Sequence, residues 1–436
     1  MALSLRTPLN SFPPETSTTD LNQFIPLHYF FLFFSPFNQT TMGIFIPQTS
    51  IAHLNEYKYQ SEDRSLTTKY ILKPFWLKFV NIFPLSMAPN MVTLLGLMFI
   101  VISDILVFYF DPYYDTISPQ WVYFYHAFAV FMYQTFDACD GIHARRTGQS
   151  SPLGELFDHC CDSMNTTLMV IQFASVSNLT TKTPIIFIVQ FSALANFYLS
   201  TWEEYYTHKL FLSELSGPVE GLLMISGVFI LTGILGVDEM WHKVLFTVNI
   251  SDSLPPLEIT STYLSAIAGA FVMSFNIYSA RRNVIDALKT EKRTNEIKSA
   301  MDGLKPFIIY YSNIFFLFLL HPEIITNYTT TMIITIGSCM SFTVGRIILA
   351  HLTKQSFPYV NFPMFVPIIQ ALLLEILTKF FKWNYYEALS LTVYGGLGLS
   401  IAIYSVFVIE IIYEITTFLD IYALSIKHPK KDLKNN

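Results

Sequence analysis

Four aspartates carry the densest chemistry in this sequence: Asp137, Asp140, Asp158 and Asp162, all within DACDGIHARRTGQSSPLGELFDHCCD (137–162). On helices the first pair stands at i,i+3 and the second at i,i+4, so each pair shares one face. Gly141, Gly148, Pro152 and Gly154 interrupt the stretch between them, which lets two helices turn back as antiparallel neighbours. Four carboxylates then converge near a membrane surface. Bare, they would repel one another and resist ionisation, and charge beside hydrocarbon is costly. A divalent cation removes both penalties. Hard oxygen ligands without paired histidines select Mg²⁺ or Mn²⁺ over zinc. The four cysteines (139, 160, 161 and 339) have neither zinc nor disulfide spacing. A carboxylate-bound cation beside Arg145 is equipped to hold a diphosphate, because the metal bridges phosphate oxygens and the guanidinium forks onto them. The glycines allow close backbone approach to such a ligand.

A second group lies within the same stretch. Glu155 precedes His159 by four residues, so on a helix the carboxylate can orient the imidazole and raise its basicity. Farther along, Trp202-Glu203-Glu204 either reaches toward a head group or forms an interfacial aromatic beside solvated acids. Gly395-Gly396-Leu397-Gly398 reads as helix packing.

The elements that must position these residues are membrane spans. The chain has 436 residues, 52% hydrophobic and only 13% charged, against about 25% charged in a soluble domain. Ten stretches are long enough to cross a bilayer, near 91–110, 119–136, 156–177, 183–202, 218–236, 260–280, 306–321, 328–349, 359–378 and 387–415. The expected fold is therefore an all-α polytopic membrane protein with about ten transmembrane helices. Residues 64–80 (RSLTTKYILKPFWLKFV) mix basic and aromatic side chains and predict an amino-terminal interfacial helix. Of the basic residues, 22 fall on the side of the amino terminus and four, Lys182, Lys243, Lys379 and Lys382, on the other. That asymmetry places both termini and the acidic loop in the cytoplasm. N-x-S/T triplets at Asn178, Asn249 and Asn327 fall in loops of the far side, in agreement. The net charge of −6 and the lack of a polybasic patch argue against nucleic acid as a partner. Residues 1–41 read as a disordered extension, with Met42 the natural start. Residues 42–89 read as a cytoplasmic segment bearing the interfacial helix, 90–236 as a catalytic core, 237–418 as additional transmembrane helices and 419–436 as a cytoplasmic tail.

The acidic stretch matches D-x2-D-G-x2-A-R-x8-G-x3-D-x3-D at Asp137, Asp140, Gly141, Ala144, Arg145, Gly154, Asp158 and Asp162. In this the chain resembles the CDP-alcohol phosphotransferases. It is most similar to their eukaryotic choline/ethanolamine phosphotransferase group, through ARRTGQSSPLGELFDH, YKYQSEDRS (57–65), LKPFW (72–76), MAPNMVTLLG (87–96), WEEYYT (202–207) and GPVEG (217–221). The resemblance runs from about Met42 to the end of the tenth span. Two departures stand out: Cys160 where glycine is expected, and Ile142-His143 in place of Lys-Gln, at a peripheral phosphate or lipid contact.

The resemblance implies transfer of phosphocholine or phosphoethanolamine from CDP-choline or CDP-ethanolamine to diacylglycerol, in the membrane of the endoplasmic reticulum or Golgi. It implies Asp137, Asp140, Asp158 and Asp162 as ligands of two metal ions, with Asp158 bridging. Arg145 would hold the phosphates and Asn90 would contact CDP, while Gly141, Ala144 and Gly154 line the substrate. His159, supported by Glu155, would be the general base, with Asp162 its rival. Two other readings compete. A phosphatidyltransferase using CDP-diacylglycerol would be shorter, with about six spans. A lipid or cation transporter would carry its acids near the bilayer midplane, on broken, repeated helices. Choline against ethanolamine preference, and monomer against homodimer, stay open at this level.

Overall fold

The computed structural model describes residues 43–57, 61–63, 65–179, 183–212, 217–249 and 256–429. The extension expected over 1–41 lies outside the described residues. Each of the ten expected spans coincides with a helix. Before them comes α1 (Lys73–Phe79), prolonged by a wide turn over Thr68–Leu72 and a tight one over Val80–Ile82. It buries Leu72, Trp76 and Val80 and leaves Tyr70, Ile71, Leu77 and Ile82 exposed beside Lys69, Lys73 and Lys78. An apolar face flanked by lysines suits the interfacial position that the sequence predicts.

The spans are α2 (Pro89–Phe110), α3 (Gln120–Thr147), α4 (Pro152–Val176), α5 (Thr183–Thr207) and α6 (Pro218–Leu235). They continue with α7 (Ser261–Thr290), α8 (Lys305–Leu320), α9 (Thr329–Leu352), α10 (Val366–Glu375, flanked by short turns) and α11 (Tyr385–Leu419). Eight of them are long and apolar enough to cross a membrane; α3 and α4 fall short because they carry the polar and charged residues of the site. Proline at the first helical position starts α2, α4 and α6, where its missing N–H costs nothing. The helix α3 runs eleven residues past the predicted span end at 136: Gly141, expected to interrupt the stretch, stays helical, and only Gly148 (φ 71°) stops it. Asp137, Asp140 and Arg145 are thereby held on helix and not on loop.

Helix α9 is the central post. Its apolar window is 89% buried, against 6% for α7, and it packs on α4, α5 and α11. A Cβ at Gly337 would overlap Thr167 of α4, so glycine permits that close crossing. The helix α2 packs on α3 and α4, and α6 covers α3. The reading of Gly395-Gly396-Leu397-Gly398 as packing holds at Gly396, where a Cβ would overlap the Gln370 amide. Gly395 and Gly398 face open space.

Two small sheets depart from a purely helical chain. Strand β1 (Ser61–Asp63) pairs in parallel with β2 (Leu210–Leu212), tying the segment before α1 to the end of α5. Strands β3 (Val244–Val248) and β4 (Leu257–Thr260) form an antiparallel ladder between α6 and α7. The residues 420–428 do not trail away from α11; they fold back against the start of α2 and the α3–α4 turn.

Candidate active site

The last turns of α3 and the first turns of α4 face each other around the short turn Gly148–Ser151. Ser151 caps α4, its side chain accepting from the Gly154 N–H, and Pro152 follows at the first helical position. Across this turn, Asp137, Asp158 and Asp162 offer carboxylate oxygens that all lie within 4.8 Å of one another. Asp140 stands beside them and accepts a hydrogen bond from the Thr93 hydroxyl of α2. Asp162 accepts one from the Tyr133 hydroxyl of α3. Asp158 Oδ1 is buried and has no hydrogen-bond partner among the described residues. Three convergent acidic oxygens and one orphaned lone pair are what a hard divalent cation needs. The donor set thus fits the metal implied by the sequence.

The second cluster sits one turn along α4. Glu155, His159 and Glu204 bring ligand-type atoms within 4.8 Å of one another. The imidazole's nearest carboxylate is not Glu155. His159 Nε2 lies 3.5 Å from Glu204 Oε2, whereas Glu155 accepts a 2.7 Å hydrogen bond from the Tyr57 hydroxyl. Trp202, Glu203 and Glu204 are all buried. The indole of Trp202 donates to the Ala300 carbonyl (2.8 Å), and Glu203 accepts from Asn283 (2.7 Å). An interfacial aromatic with solvated acids is therefore excluded: α7 and the segment after it wall this end of α5 off from water.

The phosphate-side residues are arranged differently. Arg145 is exposed, and none of the described residues pairs with its guanidinium. Its neighbour Arg146 donates to the carbonyls of Val80 (3.0 Å) and Phe83 (3.1 Å), clamping the end of the α1 segment. Ala144 serves the helix end, its carbonyl accepting from the N–H groups of Gly148 and Gln149. A Cβ at Gly141 would meet only Arg145 Nη1 at 3.6 Å, and one at Gly154 only Asn90 Oδ1 (3.7 Å) and Ser151 Oγ (3.8 Å). Protein packing demands glycine at neither position, so both leave room for a ligand. Asn90, in the first turn of α2, thus borders the start of α4, and two helix N-termini point toward one region that favours anions. Its Nδ2 donates to the Ala423 carbonyl at 3.0 Å.

The two departures from the expected pattern prove structural. His143 is buried, with Nε2 3.0 Å from the Met87 carbonyl, so it fastens α3 to the segment before α2. Cys160 fills a hydrophobic cluster with Phe342, Leu349 and Phe407. Sequence reasoning missed Tyr57, Thr93, Tyr133 and the pairing role of Glu204. Thr93 follows Asn90 by three residues and Tyr133 precedes Asp137 by four, so shared helix faces were the available signal. Tyr57 and Glu204 arrive from distant segments and left none.

The arrangement is that of a helical membrane protein in which carboxylates converge from two helices beside two glycines whose faces are open. The CDP-alcohol phosphatidyltransferase family model matches residues 86–250, which includes both clusters. Cholinephosphotransferase 1 of Saccharomyces cerevisiae is 48% identical over 398 residues, covering 89% of this chain and 100% of its own length. Choline/ethanolaminephosphotransferase 1 of the same yeast is 47% identical over 395 residues, covering 89% and 100%. Choline/ethanolaminephosphotransferase 1 of Arabidopsis thaliana is 34% identical over 391 residues, covering 88% and 98%. The chain belongs to the CDP-alcohol phosphatidyltransferase family, in its choline/ethanolamine phosphotransferase group.

Proposed function

We propose that this protein transfers phosphocholine or phosphoethanolamine from the CDP-alcohol to diacylglycerol, releasing CMP and leaving phosphatidylcholine or phosphatidylethanolamine in the membrane. The observation that carries the reading is the convergence of Asp137, Asp158 and Asp162 from the two helices that bear the family pattern. Near-complete coverage of relatives named for these activities supports it.

Asp137, Asp140, Asp158 and Asp162 would hold Mg²⁺ or Mn²⁺, two ions by the family resemblance. When bound, the metal neutralises diphosphate charge and stabilises the departing CMP. The protein's own groups do the rest. Arg145, exposed and without a partner among the described residues, forks onto the diphosphate, and the open faces of Gly141 and Gly154 admit it. His159 takes the proton from the diacylglycerol hydroxyl. That oxygen forms a bond to the alcohol-linked phosphorus as the bond from phosphorus to the CMP oxygen breaks. Glu204 stabilises the imidazolium that results, and Glu155, anchored by Tyr57, completes the buried acidic surround. Burial of this cluster excludes water, which would otherwise compete with the lipid hydroxyl and yield the free phosphoalcohol.

The basic-residue asymmetry supports a site on the cytoplasmic face, and the family resemblance supports the endoplasmic reticulum or Golgi membrane as its place in this reading. Residues 90–236 form the catalytic core in this reading, and 237–418 support it. The test is CMP release from labelled CDP-choline or CDP-ethanolamine by purified protein in diacylglycerol-containing micelles. Release dependent on diacylglycerol is expected; release indifferent to diacylglycerol, or none with either nucleotide, refutes the reading.

A further inference from the structure

The chain beyond α11 makes contacts that neither the acidic clusters nor the spans require. Asp420 takes a left-handed backbone (φ 54°) and ends α11, turning the chain back. Its carboxylate then meets Lys427 and His428 (2.9 Å to the latter), closing the returning segment on itself. Three ties fix this loop to the site. The Ala423 carbonyl accepts from Asn90 Nδ2 at 3.0 Å, Ser425 bridges Met87 in antiparallel fashion, and the His428 carbonyl accepts from Gln149 Nε2 at 3.1 Å. Ile421 and Ala423 also pack on the apolar cluster that contains Leu153 and Leu156 of α4. The anchoring points are the segment opening α2 and the turn between α3 and α4, the two places where the phosphate-side residues stand.

We infer that residues 420–428 form a strap that orients Asn90 for the nucleotide, making Ala423 and Ser425 positioning residues for CDP-alcohol binding. This rests on the proposed function and on the contact of Asn90 with CDP that the family resemblance implies. A side-chain amide has a donor end and an acceptor end. With Nδ2 committed to the Ala423 carbonyl, the acceptor Oδ1 is turned toward Gly154, where a Cβ would lie 3.7 Å from it. The strap therefore presents an oxygen acceptor, suited to an amino or hydroxyl group of a nucleoside, and presents it already ordered. Without the strap, binding must immobilise a free amide and select its orientation, which weakens affinity and leaves the reacting atoms untouched.

The test compares steady-state kinetics of the full-length protein in diacylglycerol micelles with Ser425→Pro, whose ring constrains the backbone at the Met87 bridge, and with Gln149→Ala, which releases His428. The KM for the CDP-alcohol should rise roughly 3- to 10-fold, the effect of one freed side chain, while kcat and the KM for diacylglycerol stay within about twofold. If the strap acts through Asn90, Ser425→Pro should add little to the KM of Asn90→Ala, because the two effects share one path. An unchanged nucleotide KM in both strap variants, a loss confined to kcat, or full additivity with Asn90→Ala overturns the strap's role. Absence of turnover by the unaltered protein refutes the transferase reading and the strap's role with it.

Discussion

The Nε2 atom of His159 on α4 lies 3.5 Å from Oε2 of Glu204 on α5, and both side chains are buried. Glu204 Oε2 accepts no hydrogen bond from any described residue, so that oxygen is free to pair with an imidazole that gains a proton. His159→Ala should lower kcat by about 10²–10⁴, the range for a general base. Glu204→Gln should lower it on the order of 10- to 100-fold, as carboxylates that orient a functional histidine do. Glu155→Gln should do less, because Tyr57 already holds that carboxylate. Turnover assays with saturating CDP-alcohol decide the ranking. A Glu155 effect larger than that of Glu204 would reverse the assignment.

How much of this was legible in the sequence depends on whether partners share a helix. The aspartate pairs, the spans and the turn between α3 and α4 follow from periodicity and breakers. Helix α3 outran its predicted span because apolar patterning marks where hydrocarbon ends, whereas Gly148 marks where the helix ends. The Glu155–His159 spacing gave the right neighbourhood and the wrong nearest partner, since Glu204 comes from another helix. The short motifs 57–65, 87–96, 202–207 and 217–221 looked unrelated in sequence. In space Tyr57 reaches Glu155, Thr93 reaches Asp140, Glu204 reaches His159 and Ser65 donates to Glu220. Long-range pairing of this kind leaves no periodic trace in one chain.

The metal centre predicts a graded response. Asp158→Asn removes a carboxylate from the group of three and should abolish transfer while the protein stays folded. Tyr133→Phe leaves every carboxylate in place but frees Asp162 from its hydroxyl partner. A charge-assisted hydrogen bond contributes about 1.5–3 kcal/mol, and its loss should act through the position of Asp162. The half-saturating Mg²⁺ concentration of Tyr133→Phe should rise roughly tenfold, with turnover recovering at high Mg²⁺. A metal titration of activity separates the two variants. Activity that survives exhaustive chelation would eliminate the metal altogether.

The adjacent arginines should separate binding from stability. Arg145 touches no described partner, so Arg145→Ala should raise the KM for the CDP-alcohol or lower kcat, and leave thermal stability unchanged. Arg146 holds the Val80 and Phe83 carbonyls from a half-buried position. Arg146→Ala should cost about 1–3 kcal/mol of stability through those two hydrogen bonds, seen as a lower thermal midpoint in detergent. Equal losses of stability in the two variants would contradict the division.

Topology gives the last prediction. The distribution of 22 basic residues against four predicts the α3–α4 turn in the cytoplasm, the compartment in which a water-soluble CDP-alcohol would reach the site. Ser150 is exposed in that turn, next to Ser151, which caps α4. The four native cysteines are all buried, so an impermeant maleimide should leave them largely unmodified and report on one introduced thiol. In sealed microsomes with the cytoplasmic face outward, Ser150→Cys should be labelled without detergent. Labelling should fall when a CDP-alcohol and Mg²⁺ are present, because Arg145 and Gly154 flank the same turn. A thiol at Asp238→Cys, in the turn after α6, should react only once the membrane is opened. If Ser150→Cys instead needs detergent and Asp238→Cys does not, the orientation is inverted and the nucleotide must come from the lumen.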